Sequence, residues 1–320
     1  MMSVDALIGS TGFVGTNLSR AHTFTQLFNR ENITLSADDT FKNVICAAAP
    51  GSMFEANRLP YHDSKLISNL IKSISAISTE TFILISTVAT LNNFGDGEDE
   101  SSNDYQYQAG YGGNRRVLEA FCQNHFKRCL VVRLPALIGT GLKKNFIFDL
   151  LNPMPSMLKR TTLQYLLDQA PGSLKDIIDT LYTWDTEIEM YRIDRCALSN
   201  HENKQCIDEF ITKSGFAAET FTNPESTFQY YDLSRLYADI QVALNSELNV
   251  VHLATEPLRA KDIYLSLTGR PMQENLAEVH CENLITSFGS QFNANGNYIE
   301  PADKVMQRLS HFYTEQKSNV

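Results

Sequence analysis

The chain of 320 residues has no excess of positive charge: 27 Lys and Arg stand against 37 Asp and Glu, for a net charge of −10. A surface of that sign repels phosphate backbones and anionic lipid, which argues against general affinity for nucleic acid or for a membrane. No stretch nears the ~20 apolar residues a membrane span requires. The opening MMSVDALIGSTG lacks the basic and apolar regions of a signal peptide. The six cysteines (Cys46, Cys122, Cys129, Cys196, Cys206 and Cys281) form no CxxC, and no histidine stands at a metal-like spacing from a cysteine or another histidine. No structural metal is expected, and the chain reads as a cytoplasmic protein with reduced thiols. Internal repeats and low-complexity tracts are also missing.

What is present is an alternation of short apolar runs with helical patterns. VDALIGS (4–10), FTQLFN (24–29), NVICAAA (43–49), TFILIST (81–87) and CLVVRLPAL (129–137) read as strands. Helices are predicted from near Gly12, over 64–77, and from Tyr111 to Phe126. That order predicts βαβ units, hence an α/β fold of the Rossmann type: a doubly wound parallel sheet covered on both faces. After GTGLKKN the texture changes to amphipathic helix, and NVVHLAT (249–255) reads as a strand rejoining the sheet. The expected division is a dinucleotide-binding domain of residues 1–140 plus about 225–257. A smaller, discontinuous, mainly helical substrate lobe would take 141–224 plus 258–320.

GSTGFVG places Gly9, Gly12 and Gly15 directly after the first strand and at the start of a helix. Glycines there allow a tight turn and let backbone N–H groups approach a pyrophosphate at the positive end of the helix. Such spacing alone is weak; strand before and helix after strengthen it. The residue ~20 positions downstream decides which dinucleotide is taken. Here the chain reads Asn29, Arg30, Glu31. Arg30 favours the 2′-phosphate of NADP, whereas Glu31 keeps the 2′-hydroxyl of NAD as an alternative.

ILISTVAT ends a buried strand with Ser86 and Thr87, at the edge where parallel sheets meet ligands. Tyr111 and Arg115 follow on a helix, four residues apart and so on one face. A phenol can pass a proton to or from a substrate oxygen if its conjugate base is stabilised, and a neighbouring cation does that. Taken together, GSTGFVG, CAAA, IST, YGGNRRVLE, VVRLPALIGTG and YYDLSRLYADIQVAL resemble the extended short-chain dehydrogenase/reductase family, which contains nucleotide-sugar epimerases, dehydratases and keto-sugar reductases. The resemblance covers nearly the whole chain. It implies Tyr111 as acid/base, Thr87 as hydroxyl partner and Arg115 in the place of the family's lysine. A cofactor surface would run over Gly9, Thr11, Gly12, Phe13, Val14, Gly15, Asn29, Arg30, Ala47, Ala48, Ser86, Tyr111, Arg115 and Pro135. It also implies a homodimer.

Departures narrow the chemistry. Arginine keeps the lysine's charge but not its geometry. Val88 and Ala89 stand where family dehydratases carry an acidic pair, which argues against dehydration. Glu225, Ser226 and Thr227 replace an arginine that would hold a nucleotide diphosphate. Lys143, Lys144 and Asn145 are the substitute substrate-binding candidates, with Arg192 and Arg195 behind them. Tyr230, Tyr231 and Trp184 read as core aromatics rather than a sugar pocket. The leading expectation is an NADPH-dependent reductase of a keto-sugar or related carbonyl, nucleotide-activated or free. A sugar epimerase with retained NAD is one alternative, and a non-catalytic NADP-binding sensor or scaffold is the other.

Overall fold

The computed structural model describes residues 5–34 and 40–318. By its contacts the chain divides into two units. The first comprises residues 1–142, 227–258 and 281–312; the second comprises 143–226, 259–280 and 313–320.

In the first unit the apolar runs form β1 (Asp5–Ile8), β2 (Gln26–Phe28), β3 (Thr40–Cys46), β4 (Ser78–Thr87) and β5 (Cys129–Leu134). The expected start of the first strand, Val4, lies outside the described residues. With β12 (Val250–His252) these strands make a six-stranded sheet in the order β12-β5-β4-β3-β1-β2. Every pairing is parallel. The chain winds outward on one side of β1 to β2 and then crosses to β3, so a topological switch point lies between β1 and β3.

Side chains alternate along each strand and feed two cores. Ala6, Ile8, Val44, Cys46, Phe82 and Leu84 pack with α3 (Pro60–Ile74) and α4 (Tyr111–His125), through Ile67, Leu70, Ile74, Leu118 and Cys122. Leu7, Ile45, Ile83, Ile85 and Val132 pack on the opposite face with α1 (Phe13–Ala21) and α10 (Leu236–Asn245), through Leu18, Leu236, Ile240 and Ala243. Burial on both faces explains why these strands read as continuous apolar runs. The fold is the Rossmann-type doubly wound sheet the sequence predicts.

Residues 281–312 differ from the sequence-based division, which assigns them to the substrate lobe. They carry no strand signal, but Leu284 packs with Val88 and Leu91, and Phe292 and Ile299 enter the core under α10. The Gln229 side chain binds the Leu284 backbone at both its N–H and its carbonyl.

The second unit contains α5 (Phe146–Leu151), α6 (Arg160–Gln169), α7 (Gly172–Leu181), α8 (Arg195–Ser199), α9 (Lys204–Ser214) and α11 (Ala260–Thr268). Its core gathers Met154, Leu163, Leu166, Ile178, Leu181, Ile207 and Ile211. It also holds a small antiparallel sheet of β7 (Met157–Leu158), β9 (Met190–Ile193) and β8 (Tyr182–Asp185), which the helical reading of this region misses. The hairpin signal is YTWD followed by MYRI, each four residues long with aromatics paired across the strands as Trp184 and Tyr191. No helix among the described residues is long and apolar enough to cross a membrane.

Candidate active site

The glycine loop leaves β1 at the sheet's carboxyl edge. Gly9 sits at φ +87°, and a Cβ there would lie 2.6 Å from the Ala47 carbonyl oxygen, just beyond β3. A Cβ at Gly15 would meet the Gly9 carbonyl at 2.1 Å. Both positions need glycine for the chain's own packing. Gly12 is less constrained: its φ of −76° suits any residue, and a Cβ would press on Gly9 O at 3.3 Å, a tight contact but not a clash. The N–H groups of Gly9 and Ser10 donate to Phe28 O, and that of Gly12 to Gly9 O. The leading N–H groups of α1, at Phe13 and Val14, have no intrahelical acceptor and point out of the helix start.

Tyr111 opens α4, half-buried, with its N–H donated to Asn57 Oδ1 at 2.8 Å. Two glycines fix the closeness of its surroundings. A Cβ at Gly112 would lie 1.9 Å from Ala89 O, and one at Gly113 would lie 2.0 Å from Gln108 O. The segment leaving β4 therefore runs in direct backbone contact with the helix start. That brings the Thr87 hydroxyl to the Tyr111 phenol, near enough to lower the phenol's pKa. Burial raises the phenol's pKa; the Arg115 charge and the Thr87 hydroxyl pull it down, Asp63 pushes it up, and the net shift is upward.

Arg115 is buried at 2% exposure, with its guanidinium carbon 4.2 Å from the centroid of the Tyr111 ring. It forms a two-pronged pair with Asp63 of α3: Nη2 donates to Oδ1 at 2.9 Å and Nη1 donates to Oδ2. Nη2 also donates to Pro50 O, and Nη1 to Tyr111 O at 3.2 Å. Asn114 Nδ2 adds a bond to Asp63 Oδ2 at 2.7 Å. The sequence places a free cation beside the phenol; the structure supplies it with a carboxylate.

Ser86 shares the strand face of Phe82 and Leu84, the face α4 covers. Its hydroxyl accordingly donates to Glu119 Oε1 at 2.6 Å. Glu119 is fully buried and takes two bonds from Arg133, at 3.0 Å from Nε and 2.7 Å from Nη2. Arg133 Nη1 lies 3.2 Å from His252 Nε2, while His252 Nδ1 lies 3.0 Å from Ile285 O. That arrangement suits a neutral imidazole whose Nδ1–H donates to Ile285, and burial depresses the His252 pKa accordingly. Ser86 thus belongs to a buried polar network joining β4, α4, β5 and β12, and its proton is committed there rather than to a ligand.

No protein-family model matches the chain, and no curated protein does. Solved structures do. RMD from Pseudomonas aeruginosa, complexed with NADPH, is 15% identical with TM-score 0.61, over 99% of this chain and 100% of that one. A dTDP-4-dehydrorhamnose reductase from Bacillus anthracis in complex with NADP is 13% identical with TM-score 0.60, over 98% and 99%. A UDP-N-acetylglucosamine 4-epimerase from Methanobrevibacter ruminantium is 11% identical with TM-score 0.62, over 99% of both chains. The chain shares their fold. At such identities the likeness extends to the fold and no further.

Within that fold the first unit aligns the glycine loop, Ala47 and Ala48 after β3, Thr87 at the end of β4 and Pro135 after β5 on the carboxyl edge. Arg30 is exposed on the turn after β2. Asn29 is used by that turn itself: its Oδ1 accepts from the N–H groups of Glu31 at 2.8 Å and Asn32 at 3.3 Å. In the second unit Lys143 and Lys144 are exposed, and Asn145 caps α5 by accepting from Phe148 N at 3.0 Å. Arg192 pairs with Asp185 at 2.6 Å, and Arg195 donates to Met154 O and, at 2.9 Å, to Ser156 Oγ. Both arginines are therefore occupied inside their own unit. Tyr230 and Tyr231 are core residues, the latter donating to Asp239 at 2.7 Å. Sequence reasoning missed Asp63, Asn57 and the Glu119–Arg133 pair, because their partners lie 52, 54 and 14 residues away in the chain, beyond any helical or strand spacing.

Proposed function

We propose that the protein is an oxidoreductase of the extended short-chain dehydrogenase/reductase type that uses NADPH to reduce a keto-sugar carbonyl, with a nucleotide-activated sugar as the favoured substrate. The observation that carries this reading is Tyr111 at the start of α4 with Thr87 and Arg115 against its phenol and ring, on the carboxyl edge that also carries the glycine loop. The loop fits a dinucleotide: a bare Gly12 keeps the turn open to a phosphate, and the start of α1 offers backbone N–H groups to a pyrophosphate. NADPH, when bound, supplies the hydride.

Gly12 and the N–H groups of Phe13 and Val14 hold the pyrophosphate, Arg30 meets the 2′-phosphate, and Ala47, Ala48 and Pro135 bound the cofactor. Thr87 orients the substrate oxygen and Tyr111 gives it a proton as negative charge develops there. A phenol whose pKa is raised stays protonated through neutral pH, so the proton a reduction needs is in place and no tyrosinate is standing ready as a base. That favours reduction over epimerisation, which would require the same group to remove a proton first. Lys143 and Lys144 are the second unit's candidates for a substrate diphosphate.

One observation favours a second reading, a non-catalytic NADP binder. Arg115 is bound to Asp63, so the charge that would steady a tyrosinate is already compensated in part. The readings separate in one experiment: purified protein is offered NADPH and NADH with UDP- and dTDP-linked keto-sugars, and loss of the reduced-nicotinamide absorbance is followed. Turnover that Tyr111→Phe abolishes supports the reductase. NADPH binding with no turnover across the panel supports the binder.

A further inference from the structure

Three groups face the Tyr111 phenol, one from each element packed around it. Arg115 comes from its own helix, Thr87 from the end of β4 and Asp63 from α3. Of these, Asp63 and Arg115 also hold each other, through both carboxylate oxygens. The grip is buried on both sides, with side-chain exposures of 2% for Arg115 and 5% for Asp63. Asn114 steadies the carboxylate, and Pro50 O holds the guanidinium from the side of the β3 loop. Both terminal nitrogens are drawn to these acceptors, and Nε is left buried without a hydrogen-bond partner. At the phenol the carboxylate offsets part of that cation's field: Arg115 pulls the pKa down and Asp63 pushes it up by less.

We propose that Asp63 is a positioning residue of this site: it fixes Arg115 against the Tyr111 ring and offsets part of the arginine's field at the phenol, so that Tyr111 serves as a proton donor. The inference rests on reading Tyr111 as the site's acid. It accounts for why an arginine occupies this position on α4. The fork answers the carboxylate on α3 with two parallel bonds, which an ammonium cannot do.

The test reads Tyr111 ionisation directly, by carbon NMR of ring-labelled tyrosine in the full-length protein, with Tyr111→Phe assigning the resonance. Asp63→Asn keeps the side chain's size and removes its charge. It is expected to move the Tyr111 midpoint downward, raising the tyrosinate fraction at a fixed alkaline pH on the order of tenfold. Asp63→Glu, which keeps the charge, is expected to hold the parent's midpoint. If Asp63→Asn does not fold, Asp63→Asn/Arg115→Met takes its place, leaving neither charge buried alone. Its midpoint is then expected above the parent's, because the arginine's pull on the phenol exceeds the carboxylate's push. A midpoint that does not fall in Asp63→Asn, or that fails to rise in the double variant, overturns the proposal. The titration needs no turnover, so its failure is distinct from failure of the reductase reading, which appears as undiminished turnover in Tyr111→Phe.

Discussion

Replacing Arg115 by methionine tests how much of the first unit's stability rests on one buried pair. Methionine keeps much of the apolar stem and removes the guanidinium. Asp63 is then left 5% exposed, with the Asn114 amide as a donor to its Oδ2. Pro50 O loses its bond to the guanidinium as well. Removing one member of a buried pair costs about 3–5 kcal/mol, because the survivor is an uncompensated charge. For a folded unit of this size each kcal/mol lowers Tm by roughly 2–4 °C. Differential scanning calorimetry should therefore show a fall on the order of 10 °C. Arg115→Lys keeps the charge but cannot fork to both oxygens and still reach Pro50, so it should lose about 1–3 kcal/mol. Asp63→Leu/Arg115→Met removes both charges and should return close to the parent, since apolar replacement of a buried pair is often neutral. A fall under about 2 °C in Arg115→Met, well below what a stranded charge costs, would refute this account of the pair.

Tyr111→Phe should abolish reduction while leaving NADPH affinity intact, measured by turnover and by calorimetric titration. Because the folded-state pKa of Tyr111 is raised, the phenol keeps its proton across neutral pH. The reductive rate should therefore be flat through that range and decline only above the ordinary phenol range, as the proton is lost. Gly12→Val should block NADPH binding with a modest change in Tm, since the fold leaves the position nearly enough room. Gly15→Ala should instead give little folded protein, because its Cβ meets backbone at 2.1 Å. Arg30→Ala should erase the preference for NADPH over NADH, a loss on the order of 10–100-fold in relative affinity for a charge-assisted contact. Equal affinities in the parent would count against Arg30 as the discriminating residue.

The sheet was readable because its signals are local. Runs such as FILI in β4 and LVV in β5 are buried on both faces, so each strand shows in its own residues. The glycine loop was readable for the same reason, with strand, turn and helix contiguous in the chain. The hairpin of β8 and β9 was hidden inside helical surroundings, and residues 281–312 carry almost no periodicity to say which core they enter. The site was half legible. Tyr111 and Arg115 share a helix face that spacing alone reveals, yet what Arg115 does depends on Asp63, 52 residues earlier. Ser86 was assigned to the cofactor from its place at a strand end. Its direction is set by strand parity, which puts it on the Glu119 side. Long-range polar partners have no periodic signature, and they decided both cases.

The zero clearance at Gly112 and Gly113 has a bearing on how this chain can be altered. Any side chain at either position would have to displace the carbonyl of Ala89 or of Gln108. A helix can usually slip or turn slightly to absorb a nearby substitution; here the rotational phase of α4 is indexed, tooth against notch, to the backbone leaving β4. Mutational routes that retune the surroundings of Tyr111 are therefore open through Asn57 and Asn114 one at a time, and through Asp63 when Arg115 changes with it. They are closed through the two glycines, where the 88–108 segment would have to be rebuilt before the first substitution could be tolerated.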